Sequence, residues 1–158
     1  MARVRVERVD PALPAVRDLI SRSDAYMVAL YPPESNHLES VEALSAPNVF
    51  FLGAFVDDVL AGTAAVKKLA DDGVYGEIKR LFVLERYRGL GISRALMAAL
   101  EAHLAEHDIP LARLETGIRQ PEAIGLYRRL GYVERAPFGG YRPDPLSLFM
   151  EKRIPATA

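Results

Sequence analysis

A mixed sheet with helices on its faces, an α+β fold, is the architecture this sequence predicts. The elements read in the order β, α, α, β, β, β, α, β, α, β, β, which is neither a simple strand–helix alternation nor all antiparallel. Three consecutive strand-like runs in the middle are joined by turn residues alone, so they form an antiparallel meander. The chain has 158 residues, half of them hydrophobic, and no composition shift divides it. One domain over 1–158 is expected, with a disordered tail at about 155–158.

Each element has its own local reason. "RVRVERV" (3–9) alternates with period two, as a short strand does. Asp10-Pro11 supplies a cap and a first-turn proline for the helix that follows, with a break expected where Pro14 and the Ser21–Asp24 cluster interrupt it. The two prolines of "YPPESNHLES" (31–40) exclude a helix there, and Asn36 with Glu39 three positions on reads as a capping box for a second short helix. "NVFFLGAFV", "VLAGTAAVKKL" and "VYGEIKRLFVL" are the meander strands, separated by Asp57-Asp58 and Asp71-Asp72-Gly73. Ile92, Leu96, Leu100 and Leu104 then recur every four residues, which makes an amphipathic helix to about His107. "LARLETG" is a short strand. Gln120-Pro121 opens "EAIGLYRRL", which stops at Gly131 with Arg128 and Arg129 in its last turn. "YVERA" and "LSLFMEKRI" complete the strands, with the glycine- and proline-rich "PFGGYRPDP" between them.

Bulk properties exclude several functions. A net charge of −1 gives no general field for nucleic acid or anionic lipid. No apolar run reaches the ~18 residues of a membrane span, and the N-terminus lacks a signal-peptide pattern, so a soluble, cytoplasmic protein is expected. With no cysteine, disulfides, thiolate metal sites and thiol nucleophiles are absent. The chemistry must use oxygen and nitrogen.

The most informative stretch is "FVLERYRGLGIS" (82–93), where an apolar strand meets two arginines, two glycines and a helix start. Unpaired amides, a helix dipole and the guanidinium groups of Arg86, Arg88 and Arg94 make an anion site there. A turn glycine among solvated arginines is the plainer reading of the same residues. The spacing fits neither G-x-x-x-x-G-K-[ST], since no lysine follows Gly91, nor G-x-G-x-x-G, since position 94 is Arg94.

This run resembles the acetyl-CoA-binding motif of the GNAT superfamily of N-acetyltransferases: Gln or Arg, two residues, Gly, one residue, then Gly or Ala. It maps onto Arg88, Gly89, Leu90, Gly91, Ile92 and Ser93, with serine at the last position. "QPEAIGLYRRLGY" (120–132) resembles a later block of the same family, with Gln120 where asparagine is usual. The resemblance in these two blocks covers roughly 48–135, and "LYPPESNH" with "PFGGYRPDPLS" resembles a bacterial branch labelled IAA acetyltransferase. The resemblance implies a mostly antiparallel sheet of six to seven strands with about four helices, its strands splayed at the cofactor site. It implies acetyl-CoA as co-substrate and acyl transfer to the amine of a small molecule or peptide. Family members are often dimers, so a homodimer is the assembly implied. A non-catalytic acyl-CoA-binding regulatory module on the same fold is the alternative.

Residue roles follow from that resemblance. The backbone of Phe82 and Val83 would bond the pantetheine arm, and the amides of Gly89 to Arg94 would cradle the pyrophosphate, with Gln120 beside the arm. A primary amine with a pKa near 10.4 is neutral in about one molecule in ~10³ at pH 7, a handicap of roughly 4–5 kcal/mol, so a base is needed. Glu77 stands where several members have theirs, although it can equally pair with Lys79 or Lys67 across the sheet. Tyr127 resembles the family tyrosine that protonates the leaving thiolate or stabilises it by a hydrogen bond. Tyr31, Glu34, Asn36 and His37 on the rigid "YPPESNH" loop, with Tyr141 of "PFGGY", are candidates for the acceptor pocket.

"HLAEH" (103–107) matches the H-x-x-E-H string of some zinc peptidases. Both histidines are expected on the sheet-facing stripe of the helix, and Asp108-Ile-Pro110 ends the helix with no third ligand in view. No metal is expected.

Overall fold

The computed structural model describes residues 3–156. Strand β1 (Val4–Arg8) leads to helix α1 (Pro14–Leu30), a one-turn 3₁₀ segment (Pro33–Ser35) and the four-residue helix α2 (Val41–Leu44). The meander β2 (Val49–Val56), β3 (Val59–Leu69) and β4 (Tyr75–Val83) follows, then α3 (Ile92–Glu106), β5 (Leu111–Gly117), α4 (Pro121–Arg129), β6 (Val133–Arg135) and β7 (Ser147–Arg153). The seven strands form one sheet in the order β1-β2-β3-β4-β5-β7-β6. Every pairing is antiparallel except β4 with β5. Strand and helix order match the sequence reading throughout, and the expected tail lies partly outside the described residues.

Three local details differ from expectation. Helix α1 begins at Pro14, because Asp10 closes a turn on the Ala12 amide (2.8 Å) and the first helical bond runs from Arg17 to the Leu13 carbonyl. It then passes through 21–24 unbroken, since Ser23 is buried and Arg22 reaches back to Asp18 on the solvent side (2.9 Å). Asn36 does not open α2: its side-chain amide donates to the Tyr31 and Pro32 carbonyls, and Ser40 accepts from the Ala43 amide at the start of α2.

The core has two layers. On one face, Ile92, Leu96, Leu100 and Leu104 of α3 are buried against Val66, Ile78, Leu114 and Met150. Each fully buried side chain contributes about 1.5–3 kcal/mol of transfer free energy. Gly76 permits this approach, because a Cβ there would lie 2.5 Å from Leu104. On the other face, Val16 and Ile20 of α1 pack with Leu44, Phe51 and Ala65. Asp57 and Asp58 both take positive φ (48° and 68°), the backbone a two-residue hairpin requires. The sheet is thus held firmly at its centre, and its one parallel seam is where it opens.

Candidate active site

That seam is short. β4 pairs with β5 only from Gly76, Glu77 and Ile78 to Ala112, Arg113 and Leu114, although both strands continue beyond. The cause is a bulge: the β3–β4 register shifts between Thr63 and Ala65, opposite Arg80, whose φ is +59°. An extra residue bends its strand, and this one bends β4 away from β5. Such a conformation costs of order 1–3 kcal/mol in a non-glycine residue. It is held by its contacts. The buried Arg80 guanidinium pairs with Asp24 of α1 and donates to the Glu39 carbonyl, while Thr63 donates to the Arg80 carbonyl (3.0 Å).

On one side of the opening is a groove of about 460 Å³ lined by Phe82, Val83, Arg88, Gly89, Gly91, Ile92, Ser93, Arg94, Gln120 and Arg129, among others. Gly89 and Gly91 take φ of +83° and +76°, and Gly91 is the residue before α3. The first α3 amide bonded to a carbonyl of this corner is Ala95, to Gly91 (3.0 Å), which leaves those of Ile92, Ser93 and Arg94 without an intrahelical acceptor. A Cβ on either glycine would meet nothing within 4 Å, and Ile92, Ser93 and Arg94 line the groove beside them. Leu90 is 47% exposed and is not part of the groove wall.

On the other side is a chamber of about 100 Å³, walled in part by His37, Glu39, Glu77, Lys79, Arg80, Glu115, Tyr127 and Tyr141. Leu81 and Gln120 line both spaces, so groove and chamber meet there. Glu77 is 4% exposed. It accepts a short hydrogen bond from Tyr141 and an ion pair from Lys79 (3.2 Å), which also pairs with Glu39 (2.9 Å). Lys67 stands opposite Glu77 in register but is not among its partners. Burial and the facing Glu77 push the Tyr141 phenol well above its usual range.

Glu115 is the chamber residue that sequence reasoning missed. It lies on β5 just past the last rung of the seam, where it accepts a hydrogen bond from Ser147 (2.7 Å). Burial pushes its carboxyl up from the ordinary value. Burial, with the Glu115 charge, also pushes up the Tyr127 phenol, so that hydroxyl stays protonated and makes no hydrogen bond among the described residues. The one available signal was the alternation in "LARLETG", which puts Arg113 and Glu115 on a common face.

The loop residues divide. His37 lines the chamber and meets the Tyr141 ring edge-on at 5.0 Å. Glu34 lies further out, in a recess it shares with Ser35, His37, Arg142 and Asp144. Tyr31 and Asn36 line none of these spaces. Tyr31 is a buried strut whose hydroxyl donates to Gln120 Oε1 and accepts from the Arg119 amide, both at 3.1 Å. It fits only because residue 117 is glycine: a Cβ there would fall 1.9 Å from the hydroxyl.

The histidine string also resolves. His103 stacks flat on Phe50 (3.8 Å, 6°), beside the buried stripe and not within it, and His107 is exposed at the helix end. Burial against Phe50, with His107 adding, pushes the His103 imidazole below its usual range. Among the described residues no three His, Cys, Asp or Glu side chains converge on a metal position.

Two spaces joined through a broken strand pair, one lined by backbone donors and arginines and the other by carboxylates, define a two-substrate group-transfer enzyme. The chain belongs to the GNAT acetyltransferase family, whose model matches residues 13–132. It is 42% identical over 154 residues, 98% of this chain and all of the relative, to a protein of Azospirillum brasilense named IAA acetyltransferase. A Klebsiella pneumoniae structure named as an acyl-CoA N-acyltransferase superposes with a TM-score of 0.78 at 34% identity, covering 96% of this chain and 97% of the other. The PaiA N-acetyltransferase of Thermoplasma acidophilum, solved with coenzyme A, shares the fold with a TM-score of 0.72 at 18% identity, covering 96% and 99%. No helix among the described residues is long and apolar enough to cross a membrane.

Proposed function

We propose that this protein is an acetyl-CoA-dependent N-acetyltransferase in which a primary amine attacks the thioester directly. The observation that carries the reading is the junction at Leu81 and Gln120, which joins an anion-binding groove to an acidic chamber. The residues fit the cofactor: Ile92–Arg94, with their free amides, line the groove, with Arg88, Arg94 and Arg129 on the same walls. Those groups would hold the pyrophosphate, and the β4 backbone at Phe82 and Val83, freed from β5, would hold the pantetheine arm. Bound acetyl-CoA supplies an activated acetyl thioester, so that ammonium and thioester become amide, thiol and one proton for solvent.

The chamber residues divide the remaining work. An amine that arrives as an ammonium must lose a proton, and a carboxylate with a raised pKa is the better base at neutral pH. Glu115 meets that requirement through burial, whereas Glu77 is already engaged by the Tyr141 hydroxyl and the Lys79 ammonium. We therefore assign proton acceptance to Glu115 and orientation of the ammonium to Glu77, in place of the base role the sequence suggests for Glu77. Tyr127, kept protonated, donates a hydrogen bond where sulfur charge develops. His37 and Tyr141 shape the chamber. The relative's name puts IAA on the list of compounds to assay, and the acidic walls favour an amine. Thiol release from acetyl-CoA, measured with and without a panel of amines, tests the reading: amine-dependent release supports it, and tight acetyl-CoA binding with no release for any amine overturns it.

A further inference from the structure

The acceptor side of the site narrows toward the reacting end, and its charge is opposite to that of the cofactor side. Ser35 and His37 line both the chamber and the outer recess, so the recess is the chamber's approach. The recess holds about 550 Å³, the chamber about 100 Å³ and the groove beyond it about 460 Å³. The chamber is the narrowest of the three spaces. The slender end of an unbranched chain suits it better than a carbon carrying a side group and a carbonyl beside its amine.

The charges select further. Three carboxylates, Glu39, Glu77 and Glu115, wall the chamber against Lys79 and Arg80. Both cations are already engaged, Lys79 between Glu39 and Glu77, and Arg80 with Asp24. Among the described residues Glu115 forms no ion pair; its hydrogen bond comes from the neutral Ser147, and Lys79 and His37 act on its charge only from a distance. In the recess Glu34 and Asp144 outnumber Arg142, whereas in the groove Arg88, Arg94 and Arg129 outnumber Glu122. An approach lined with excess carboxylate concentrates cations and repels anions.

We propose that the acceptor is an unbranched ω-aminoalkyl cation: a primary ammonium on a CH₂ group, with no carboxylate, whose far end lies in the recess beside Glu34. This class rests on the acetyltransferase reading above. A matched six-carbon set tests it, because its amines differ little in basicity: 1,6-diaminohexane, hexylamine, 6-aminohexanoate and 2-aminohexane, with an alanine tripeptide as the α-amine. Thiol release should give the highest kcat/KM for 1,6-diaminohexane, with 6-aminohexanoate, 2-aminohexane and the tripeptide each at least tenfold below hexylamine. Glu34→Gln should cut the advantage of the diamine over hexylamine several-fold, and an unchanged ratio would overturn the placement of the far end. Preference for the tripeptide, the branched amine or the amino acid overturns the class and leaves acetyl transfer standing. Release with none of the five, when another amine of the wider panel does release thiol, overturns the class alone.

Discussion

The groove and the chamber are neighbours, yet they are built in opposite ways. The groove is largely the work of one continuous stretch, residues 82–94, acting through its backbone: two glycines at positive φ and three free amides at a helix start. The chamber is assembled from side chains of α1, the 35–39 loop, β4, β5, α4 and Tyr141, and depends on a bulge at Arg80. A site made of local backbone is written into consecutive residues, whereas one made of converging side chains exists only once the sheet has folded. The two should therefore fail separately, one in binding and the other in turnover.

The largest separation is expected from Glu115→Gln, which removes the assigned base and should lower kcat at pH 7 by 10²–10⁴ while leaving the acetyl-CoA Kd within about twofold. A parallel loss of binding in calorimetry would break the distinction. Next, Gly91→Val places a branched side chain at φ +76° and beside the amides of the groove, and should weaken acetyl-CoA binding at least tenfold, ~1.4 kcal/mol. Unchanged affinity would remove the cradle. Gly117→Ala attacks the wall the two regions share, since its Cβ collides with Tyr31; a loss of about 1–3 kcal/mol in denaturant unfolding is expected, with Gln120 released. Glu77→Gln should act mainly on KM for the amine, raising it about tenfold, because the residue orients without taking the proton. The smallest effect belongs to His103→Ala, which loses its stack on Phe50 and its ring contact with His107 and should leave kcat unchanged. A chelator-sensitive activity, lost in that variant, would reopen the metal reading.

Legibility follows the same division. The meander, the α3 stripe and the glycine corner were readable because each rests on a period or a turn within a few residues. The chamber was not. Glu115 sits in a seven-residue strand whose pattern marks a face, but burial of that carboxyl depends on where β4 leaves β5 and on Ser147 far along the chain. Tyr31 looked like a pocket residue because prolines and polar residues surround it, and only the distant Gly117 reveals it as a strut. The break expected in α1 is missing for a related reason: Ser23 is polar by type but faces inward, toward the chamber wall.

The most direct test is the pH dependence of the ratio between wild-type and Glu115→Gln kcat, measured with one simple primary amine from pH 6.5 to 9.5. The wild-type rate should rise through the raised Glu115 pKa on the acid side, since the base works only when ionised. In the variant the rate should instead track the free-amine fraction, so the wild-type advantage shrinks steadily as pH rises toward the amine's own pKa near 10.4. A ratio that stays constant across the range would contradict proton acceptance by Glu115.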